Sequence, residues 1–419
     1  MKPASLSALI HKLLNVPTES GLIGLHGGIP PPTSFPLTGL TATVLGGTSL
    51  AITETEQQYN FNPKGHTPLV EWLTAFMQRV HAPSIQTQVT VTNGATHAIG
   101  LAVGLLCDPG DYILCEAFTY AHAVESIFEP RGVRVLGVRM DDEGMDVGDL
   151  LRVLGRQGSA GLPPPRVLYT VPTGQNPTGV TMTQARKAAL YAVCQRHDII
   201  IIEDDAYHML YFPRGQAPPG LALPRSLLSI DTDGRVLRID TFAKVLGPGY
   251  RLGWVTAAPA LAAKMSAAVM ASTVGAVSMT QVIVTALLQQ WGISGFEDFL
   301  LKLQALYTHK SAVAAAAAAQ HLTGLATWVP CSAGMFMWLR LTSGRDLSTV
   351  MDQMVNAKVA VVPGSFFAAQ HPDPGDAEAA GGGGVTADDA CAAGCPFFRV
   401  SFATCSDEEL QATGNVTHR

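Results

Sequence analysis

The sequence is poor in charged residues and has no block of basic ones. Only 14% of its 419 residues are charged, and 27 lysines and arginines stand against 33 aspartates and glutamates, for a net charge of −6. Because a nucleic-acid surface needs a dense cationic patch to neutralise phosphates, the composition argues against a nucleic-acid partner. No uninterrupted apolar run approaches the roughly 20 residues that cross a bilayer, which argues against a membrane partner.

Cysteine is sparse and scattered. The chain has seven cysteines, and the closest pair, Cys391 and Cys395, is separated by three residues. Disulfide frameworks and zinc ribbons need paired cysteines at short, regular spacings, so we expect no metal site and a reducing compartment. Transit peptides are typically rich in arginine, and the first fifteen residues contain none. We therefore expect a cytosolic protein, with an organelle as the alternative.

Hydrophobic residues, by contrast, make up 47% of the chain, and its length suits two domains. Apolar, strand-like segments span 89–92, 112–115, 133–138, 167–171, 199–202 and 236–239, and helical patterns span 67–80 and 183–197. Thr67 is the expected N-cap of the first helix, with Pro68 in its first position. Continuous apolar strands separated by helices predict an α/β fold with a mostly parallel sheet covered on both faces.

Polar side chains follow the ends of three of these strands. Asn176 comes after the strand at 167–171, Asp204 and Asp205 after the strand at 199–202, and Lys244 after the strand at 236–239. In such sheets, ligands bind at the carboxyl ends of the strands. The pattern therefore predicts one site that collects these groups.

A glycine turn between a strand and a helix, Gly94-Ala95-Thr96, offers a second part of such a site. The backbone N–H groups and the dipole at a helix start favour an anion. An ordinary strand-to-helix turn is the alternative.

Lys244 lies between two apolar segments, where a charged ammonium is expensive to bury. Desolvation makes a lysine nucleophilic towards an aldehyde, so a Schiff-base lysine is one interpretation. Arg251, seven residues later, would then supply a cation for a phosphate. The alternative is a lysine and an arginine in a surface loop.

Arg399 occupies the middle of the apolar segment 397–402. A buried arginine needs an anionic partner, whereas an edge-strand arginine would point to solvent. The segment itself leaves both possibilities open.

Together these motifs resemble the fold-type I, pyridoxal-phosphate-dependent aminotransferases of class I, especially the kynurenine/2-aminoadipate and aromatic aminotransferase branch. The resemblance runs from about His26 to Asp407 and is densest at 168–172, 176–179, 202–205, 234–244 and 334–338. It implies a large domain at 51–299 with a seven-stranded-type sheet and a smaller α+β domain at 300–419. It also implies an N-terminal arm at 1–50 that joins the small domain, and we interpret the glycine-rich stretch at about 371–395 as a disordered insertion.

The resemblance assigns the cofactor, pyridoxal 5′-phosphate (PLP), to named residues. Lys244 is implied as the Schiff-base lysine and proton-transfer base, and Asp205 as the partner of the pyridine nitrogen. Asn176 and Tyr207 are implied as donors to the ring oxygen, and Tyr120 as the ring stacked on the pyridine. The implied phosphate ligands are Gly94, Ala95, Thr96, Thr241, Arg251 and, from a partner subunit, Tyr59.

For the substrate, the resemblance implies that Arg399 binds the α-carboxylate with Asn176 nearby, and that Gly28 and Ile29 cover the site. Two departures stand out: Ala243 replaces a usual serine, and Ala95 replaces a common one. The stretch at 371–395 also lies just before Arg399.

The implied function is transfer of an amino group from 2-aminoadipate, kynurenine or an aromatic amino acid to a 2-oxo acid such as 2-oxoglutarate. A ping-pong mechanism in a homodimer is implied. A PLP-dependent lyase or decarboxylase on the same fold is the first alternative, because the scaffold does not fix the reaction. A non-catalytic PLP-binding effector module is the second.

Overall fold

The computed structural model describes residues 28–53, 57–212, 220–369 and 394–412. Residues 1–27 of the expected N-terminal arm and nearly all of the glycine-rich stretch at 371–395 lie outside these ranges. No helix within the described ranges is both long and apolar enough to cross a membrane.

A seven-stranded sheet forms the centre of the fold. Its strands are β3 (Gln88–Thr92), β4 (Tyr112–Glu116), β5 (Arg134–Val138), β8 (Val167–Thr170), β9 (Ile200–Asp204), β10 (Val236–Thr241) and β11 (Gly253–Ala257). The spatial order is β3-β11-β10-β9-β8-β4-β5, and only β11 runs antiparallel to its neighbours. The predicted mostly parallel α/β sheet is confirmed.

Two short hairpins accompany this sheet. One joins β1 (Gly39–Thr43) to β2 (Ser49–Thr53), and the other joins β6 (Met140–Asp141) to β7 (Gly144–Met145).

The main helices are α1 (Thr67–His81), α2 (Ala95–Leu106), α3 (Val147–Ser159), α4 (Gln184–Arg196), α5 (Pro259–Thr273), α6 (Ser278–His321), α7 (Met351–Asn356) and α8 (Asp407–Ala412). Helices cover both faces of the large sheet. One buried cluster joins α1 and α4 to Ile201 and Val236, and another joins α2 to Ile202 and Leu237. Successive residues of a strand point to opposite faces, which explains why both faces of β9 and β10 carry buried apolar residues.

A smaller antiparallel sheet follows. Its order is β12 (Ala326–Trp328), β13 (Phe336–Leu341), β15 (Phe397–Ser401) and β14 (Val362–Pro363). α6 leads to it and is broken at Gly292, whose φ of 64° is not helical. Because α6 runs through residues 299 and 300, the proposed domain boundary there stays a prediction.

The two predicted helix starts differ in outcome. The hydroxyl of Thr183 accepts a hydrogen bond from the N–H of Arg186 at 3.2 Å and caps α4. In α1, by contrast, the N-cap is His66, without a side-chain capping bond, and Thr67 is already helical. The prediction of Thr67 as the cap is therefore wrong by one residue, and Pro68 falls in the second position.

Candidate active site

Lys244 ends a short 3₁₀ turn, Phe242–Lys244, that directly follows β10. The turn is organised by Thr241, whose hydroxyl accepts from the N–H of Ala243 at 3.1 Å and donates to the carbonyl of Leu252 at 3.0 Å. The single hydroxyl proton of Thr241 is thus used within the chain. In this arrangement Thr241 shapes the turn and has no donor left for a phosphate.

The side chain of Lys244 is half-buried, and its Nζ lies 5.8 Å from the centre of the Tyr207 ring. Burial lowers the pKa of Lys244, and the charges of Asp204, Arg251 and Arg399 act on it as well, with Asp204 opposing the shift. A lowered pKa leaves more neutral amine, which is the nucleophilic form. These surroundings favour a reactive lysine over one in a surface loop.

Asp205 does not reach this site. Its carboxylate is buried on the other face of the sheet, where Oδ2 accepts from Nη1 of Arg238 at 2.8 Å. Adjacent residues at a strand end point to opposite faces, so Asp204 and Asp205 cannot share a role. This placement corrects the sequence-based assignment of Asp205 to the cofactor ring.

Asp204, to which the resemblance assigned no role, faces the site. Its Oδ2 accepts from the Tyr169 hydroxyl at 2.7 Å, and its charge acts on Lys244, Tyr120 and Tyr207. Its buried Oδ1 has no hydrogen-bond partner among the described residues. A buried carboxylate oxygen without a partner suits a cationic or N–H group of a ligand. The residues of β9 alone offer no signal that separates Asp204 from Asp205.

Burial raises the pKa of Asp204 to about 7, and the nearby charges of Asp205, Asp240 and Glu116 act in the same direction. A free aspartate titrates near 4, so the folded protein binds this proton more tightly than the unfolded chain. Its contribution to stability is present at low pH and is lost as the pH rises through about 7.

Comparison with Asp204→Asn isolates this effect in the cofactor-free protein. The free energy of unfolding of the wild type, relative to the variant, should fall by about 2 kcal/mol between about pH 5.5 and about pH 8. Urea unfolding at both pH values measures it, with the exposed Asp142→Asn as control. If wild type and Asp204→Asn show the same pH dependence, Asp204 does not carry the raised pKa.

Arg399 lies on β15 with its guanidinium between two aromatic rings, 4.2 Å from the centre of Phe336 and 4.7 Å from that of Phe367. Its Nη1 donates to Oδ1 of the buried Asn176 at 2.7 Å, and its Nε has no partner in the described part of the chain. No carboxylate pairs with it within those ranges. The cation is therefore held in place with capacity for an anionic ligand, which excludes the solvent-facing alternative.

The turn at Gly94 lies beside Arg251. Gly94 is the N-cap of α2 with a φ of 86°, and a Cβ there would come within 2.9 Å of Nη2 of Arg251. Ala95 and Thr96 begin the helix. Burial raises the pKa of Tyr120, and the nearby Thr96 side chain acts against that shift. The backbone angle favours glycine, and a Cβ at this position would also displace the guanidinium. A helix start with an arginine beside it can bind a phosphate.

Tyr207 and Tyr120 complete the described walls. Tyr207 is buried edge-on against Phe336, with 5.8 Å between ring centres, and burial raises its pKa. Tyr120 is half-buried and ends the loop that follows β4.

Three predicted site residues lie apart from this group. Tyr59 is 56% exposed and its ring contacts Phe61, while Gly28 and Ile29 are exposed. Their proposed roles depend on a partner subunit or on closure over a substrate, and they stay predictions.

Comparison with known proteins decides the family. Residues 50–413, most of the chain, match the family described as aminotransferase class I and II. The chain belongs to this family. These enzymes depend on PLP, and this aminotransferase is therefore a PLP-dependent enzyme.

The individual relatives that the chain resembles are also named aminotransferases. The chain is 28% identical over 427 residues to the mitochondrial kynurenine/alpha-aminoadipate aminotransferase of Bos taurus, covering 98% of this chain and 93% of that protein. It is 30% identical over 365 residues to an aromatic amino acid aminotransferase of Schizosaccharomyces pombe, covering 77% and 76%. The structure of Pyrococcus horikoshii kynurenine aminotransferase, in complex with PMP, superposes with a TM-score of 0.74 at 26% identity, covering 100% and 95%.

Proposed function

We propose that this aminotransferase moves the amino group of kynurenine, 2-aminoadipate or an aromatic amino acid to a 2-oxo acid such as 2-oxoglutarate. The observation that carries the proposal is Arg399, a half-buried cation. Its charge helps to lower the pKa of Lys244, and no carboxylate among the described residues pairs with it. Amino acids and 2-oxo acids share an α-carboxylate, the group that a held guanidinium binds best. The names of the relatives supply the substrate classes.

The described residues fit PLP. Lys244 is placed to bind its aldehyde, and the unpartnered Oδ1 of Asp204, in place of Asp205, suits the protonated ring nitrogen. Gly94, Ala95, Thr96 and Arg251 would hold the phosphate, with Tyr120 and Tyr207 beside the ring. Ala243 removes a hydroxyl that the family usually has here, and Thr241 uses its own within the turn. The phosphate would therefore depend more on the N–H groups of α2 and on Arg251.

When bound, PLP supplies an electron sink that makes the proton on the substrate Cα acidic. Lys244 is the amine positioned to take and return that proton, since burial favours its neutral form. Arg399 and Asn176 orient the substrate through its carboxylate, and the rings of Phe336 and Phe367 keep the guanidinium in place. Asp204, when ionised, would stabilise the positive charge of a protonated ring nitrogen placed beside its Oδ1.

A ping-pong mechanism follows if one arginine serves both substrates in turn. Initial rates over a grid of kynurenine and 2-oxoglutarate concentrations should give parallel double-reciprocal lines and equal amounts of the two products. Release of carbon dioxide or ammonia without use of the oxo acid would instead favour a decarboxylase or lyase. Binding of PLP without any turnover would favour an effector module.

The protein also presents apolar side chains near the phosphate end of the site. Tyr59, Val274 and Val277 are each at least half exposed. The N–H of Val277 donates to Oδ1 of Asn93, next to Gly94, which places this surface beside the start of α2. We propose that a second copy covers it in a homodimer and that Tyr59 reaches the phosphate of the partner site.

Subunit mixing tests the proposed role of Tyr59. Tyr59→Ala should raise the PLP dissociation constant about tenfold, the effect of losing a hydrogen bond to a charged group. At limiting PLP, mixing it with inactive Lys244→Ala should give more activity than either alone, because mixed dimers contain one intact site. Mixing Tyr59→Ala with the Tyr59→Ala, Lys244→Ala double variant is the control. Equal activity in both mixtures, or a fully active monomer, would contradict the proposal.

For the compartment, we propose the cytosol, since the seven scattered cysteines suggest a reducing environment. The mitochondrial name of the bovine relative makes that organelle the alternative. Microscopy of the full chain with a C-terminal fluorescent tag separates the two.

A further inference from the structure

A cluster of buried charges lies on the face of the large sheet opposite Lys244. We call it the Arg238 cluster, and its members are Lys187, Glu203, Asp205, Arg238 and Asp240. It contains two cations and three carboxylates, and every member is at most 2% exposed. The reaction proposed above makes no direct use of any of them.

Arg238 is the centre of this cluster and bridges β9 and β10. Its Nη1 donates to Oδ2 of Asp205 at 2.8 Å and lies 3.3 Å from Oε1 of Glu203, both at the end of β9. Its Nε and Nη2 donate to the two oxygens of Asp240 on β10, at 2.9 and 2.7 Å. The paired bonds to Asp240 fix the guanidinium plane, and the bonds to the β9 carboxylates fix that strand against it.

The cluster is anchored further by backbone groups. Glu203 accepts from the N–H groups of Leu227 and Leu228 at 2.7 and 3.1 Å. Lys187, on α4, donates to the carbonyl of Arg225 at 2.7 Å. Arg238 thus ties the ends of β9 and β10 to each other, and Glu203 ties β9 to the loop that contains Leu227 and Leu228. Lys187 joins the same loop to α4.

The clamped residues are chain neighbours of the site. Asp205 follows Asp204, and Asp240 precedes Thr241, which shapes the turn that ends at Lys244. Fixing Asp205 and Asp240 on one face therefore fixes Asp204 and Lys244 on the other. The charges of Asp205 and Asp240 also raise the pKa of Asp204 from the other face of the sheet. Arg238 is the cation that hydrogen-bonds both of these carboxylates.

Resting on the roles proposed for Asp204 and Lys244, we propose that Arg238 is a positioning residue that sets the cofactor affinity of the site. It holds the carboxyl ends of β9 and β10 so that the acid and the amine meet the cofactor together. Stability alone is a weak reason for such a cluster, since buried ion pairs can often be replaced by apolar residues at no cost. Residues that bind a cofactor, by contrast, keep their geometry only when neighbouring side chains lock them in place by packing and hydrogen bonds.

The test compares three changes in the full chain. Arg238→Met removes the clamp, and Arg238→Met with Asp240→Asn removes one charge of each sign, so that the net charge of the cluster is kept. The matched control is Arg235→Met. Arg235 pairs with Asp233 and donates to the carbonyls of Cys194 and Ile199, at the other end of the same strands.

Titration of each cofactor-free protein with PLP gives its dissociation constant, and thermal unfolding gives its midpoint temperature. We expect Arg238→Met to weaken PLP binding about tenfold or more and to lower the midpoint. The double variant should regain much of the midpoint but still bind PLP about tenfold more weakly. Arg235→Met should lower the midpoint while its affinity stays within about twofold of the wild type.

Arg238→Lys adds a variant that keeps the charge and is expected to fold. A lysine cannot bond both strands as the planar guanidinium does, so stability should recover more than affinity. Unchanged PLP affinity in the double variant and in Arg238→Lys would overturn the proposal, as would equal loss of affinity in Arg235→Met. A wild-type chain that does not bind PLP would overturn the proposed cofactor site itself, and this inference with it.

Discussion

Replacement of Lys244 by alanine is expected to lower the rate of amino transfer by about 10³-fold or more while leaving the fold intact. The amine is proposed both to bind the cofactor aldehyde and to move the Cα proton, and loss of a positioned base alone costs about 10²–10⁴-fold. Its half-buried position after β10 and its lowered pKa suit both tasks. Single-turnover rates with saturating amino acid measure the effect without a contribution from product release.

Lys264→Ala is the control for this change. Lys264 is exposed on α5, and its loss should leave the rate within about twofold. A Lys244→Ala protein that keeps its thermal midpoint and turns over within about tenfold of the wild type would remove Lys244 from the reaction.

Replacement of Arg399 by lysine is expected to lower kcat/KM by about 10²–10³-fold for both the amino acid and the 2-oxo acid. Losing a desolvated, hydrogen-bonded charge contact costs about 2–5 kcal/mol. Lysine keeps the charge but cannot bond a carboxylate through two parallel N–H groups, and it cannot stack between Phe336 and Phe367 as the guanidinium does.

Steady-state kinetics with each substrate varied in turn measures this loss, and Arg340→Lys is the matched control. Arg340 lies on β13, in the same sheet, but is exposed. Its replacement should change kcat/KM by less than about twofold. If Arg399→Lys affects one substrate and spares the other, the two do not share this arginine, and the argument for a ping-pong mechanism loses its basis.

The fold could be predicted because its signals are local. Each strand of the large sheet is a run of apolar, often β-branched residues, and the polar groups after those runs mark the carboxyl edge of the sheet. Lys244 stood out because a lysine between two buried strands is costly without a function.

The choice between Asp204 and Asp205 could not be made in the same way. β9 is apolar on both faces, so its sequence does not show which face carries the site. A shift of one residue moves a side chain to the opposite face. Only the packing of Asp204 against Tyr169 and of Asp205 against Arg238 decides, and those partners are 35 and 33 residues away in the chain.

Other features depend on contacts with residues far away in the chain or on a second subunit, which a local sequence pattern does not identify. The arginine of β15 was recognisable as unusual, but the sequence did not show that Asn176 and two aromatic rings hold it. Arg238 within β10 carried the same signal, and its three carboxylate partners became visible only in the folded chain. Tyr59 depends on a second subunit, which no pattern within one chain describes.

The central claim is that Lys244, Asp204 and Arg399 form one site in which an amino acid and a 2-oxo acid exchange an amino group. The most direct measurement is the absorbance of the PLP-loaded enzyme during each half of the reaction. Kynurenine, 2-aminoadipate or an aromatic amino acid alone should convert the visible cofactor band once per site, and 2-oxoglutarate should then restore it. A band that never changes with any of these amino acids, or one that changes and is not restored by any 2-oxo acid, would contradict the account.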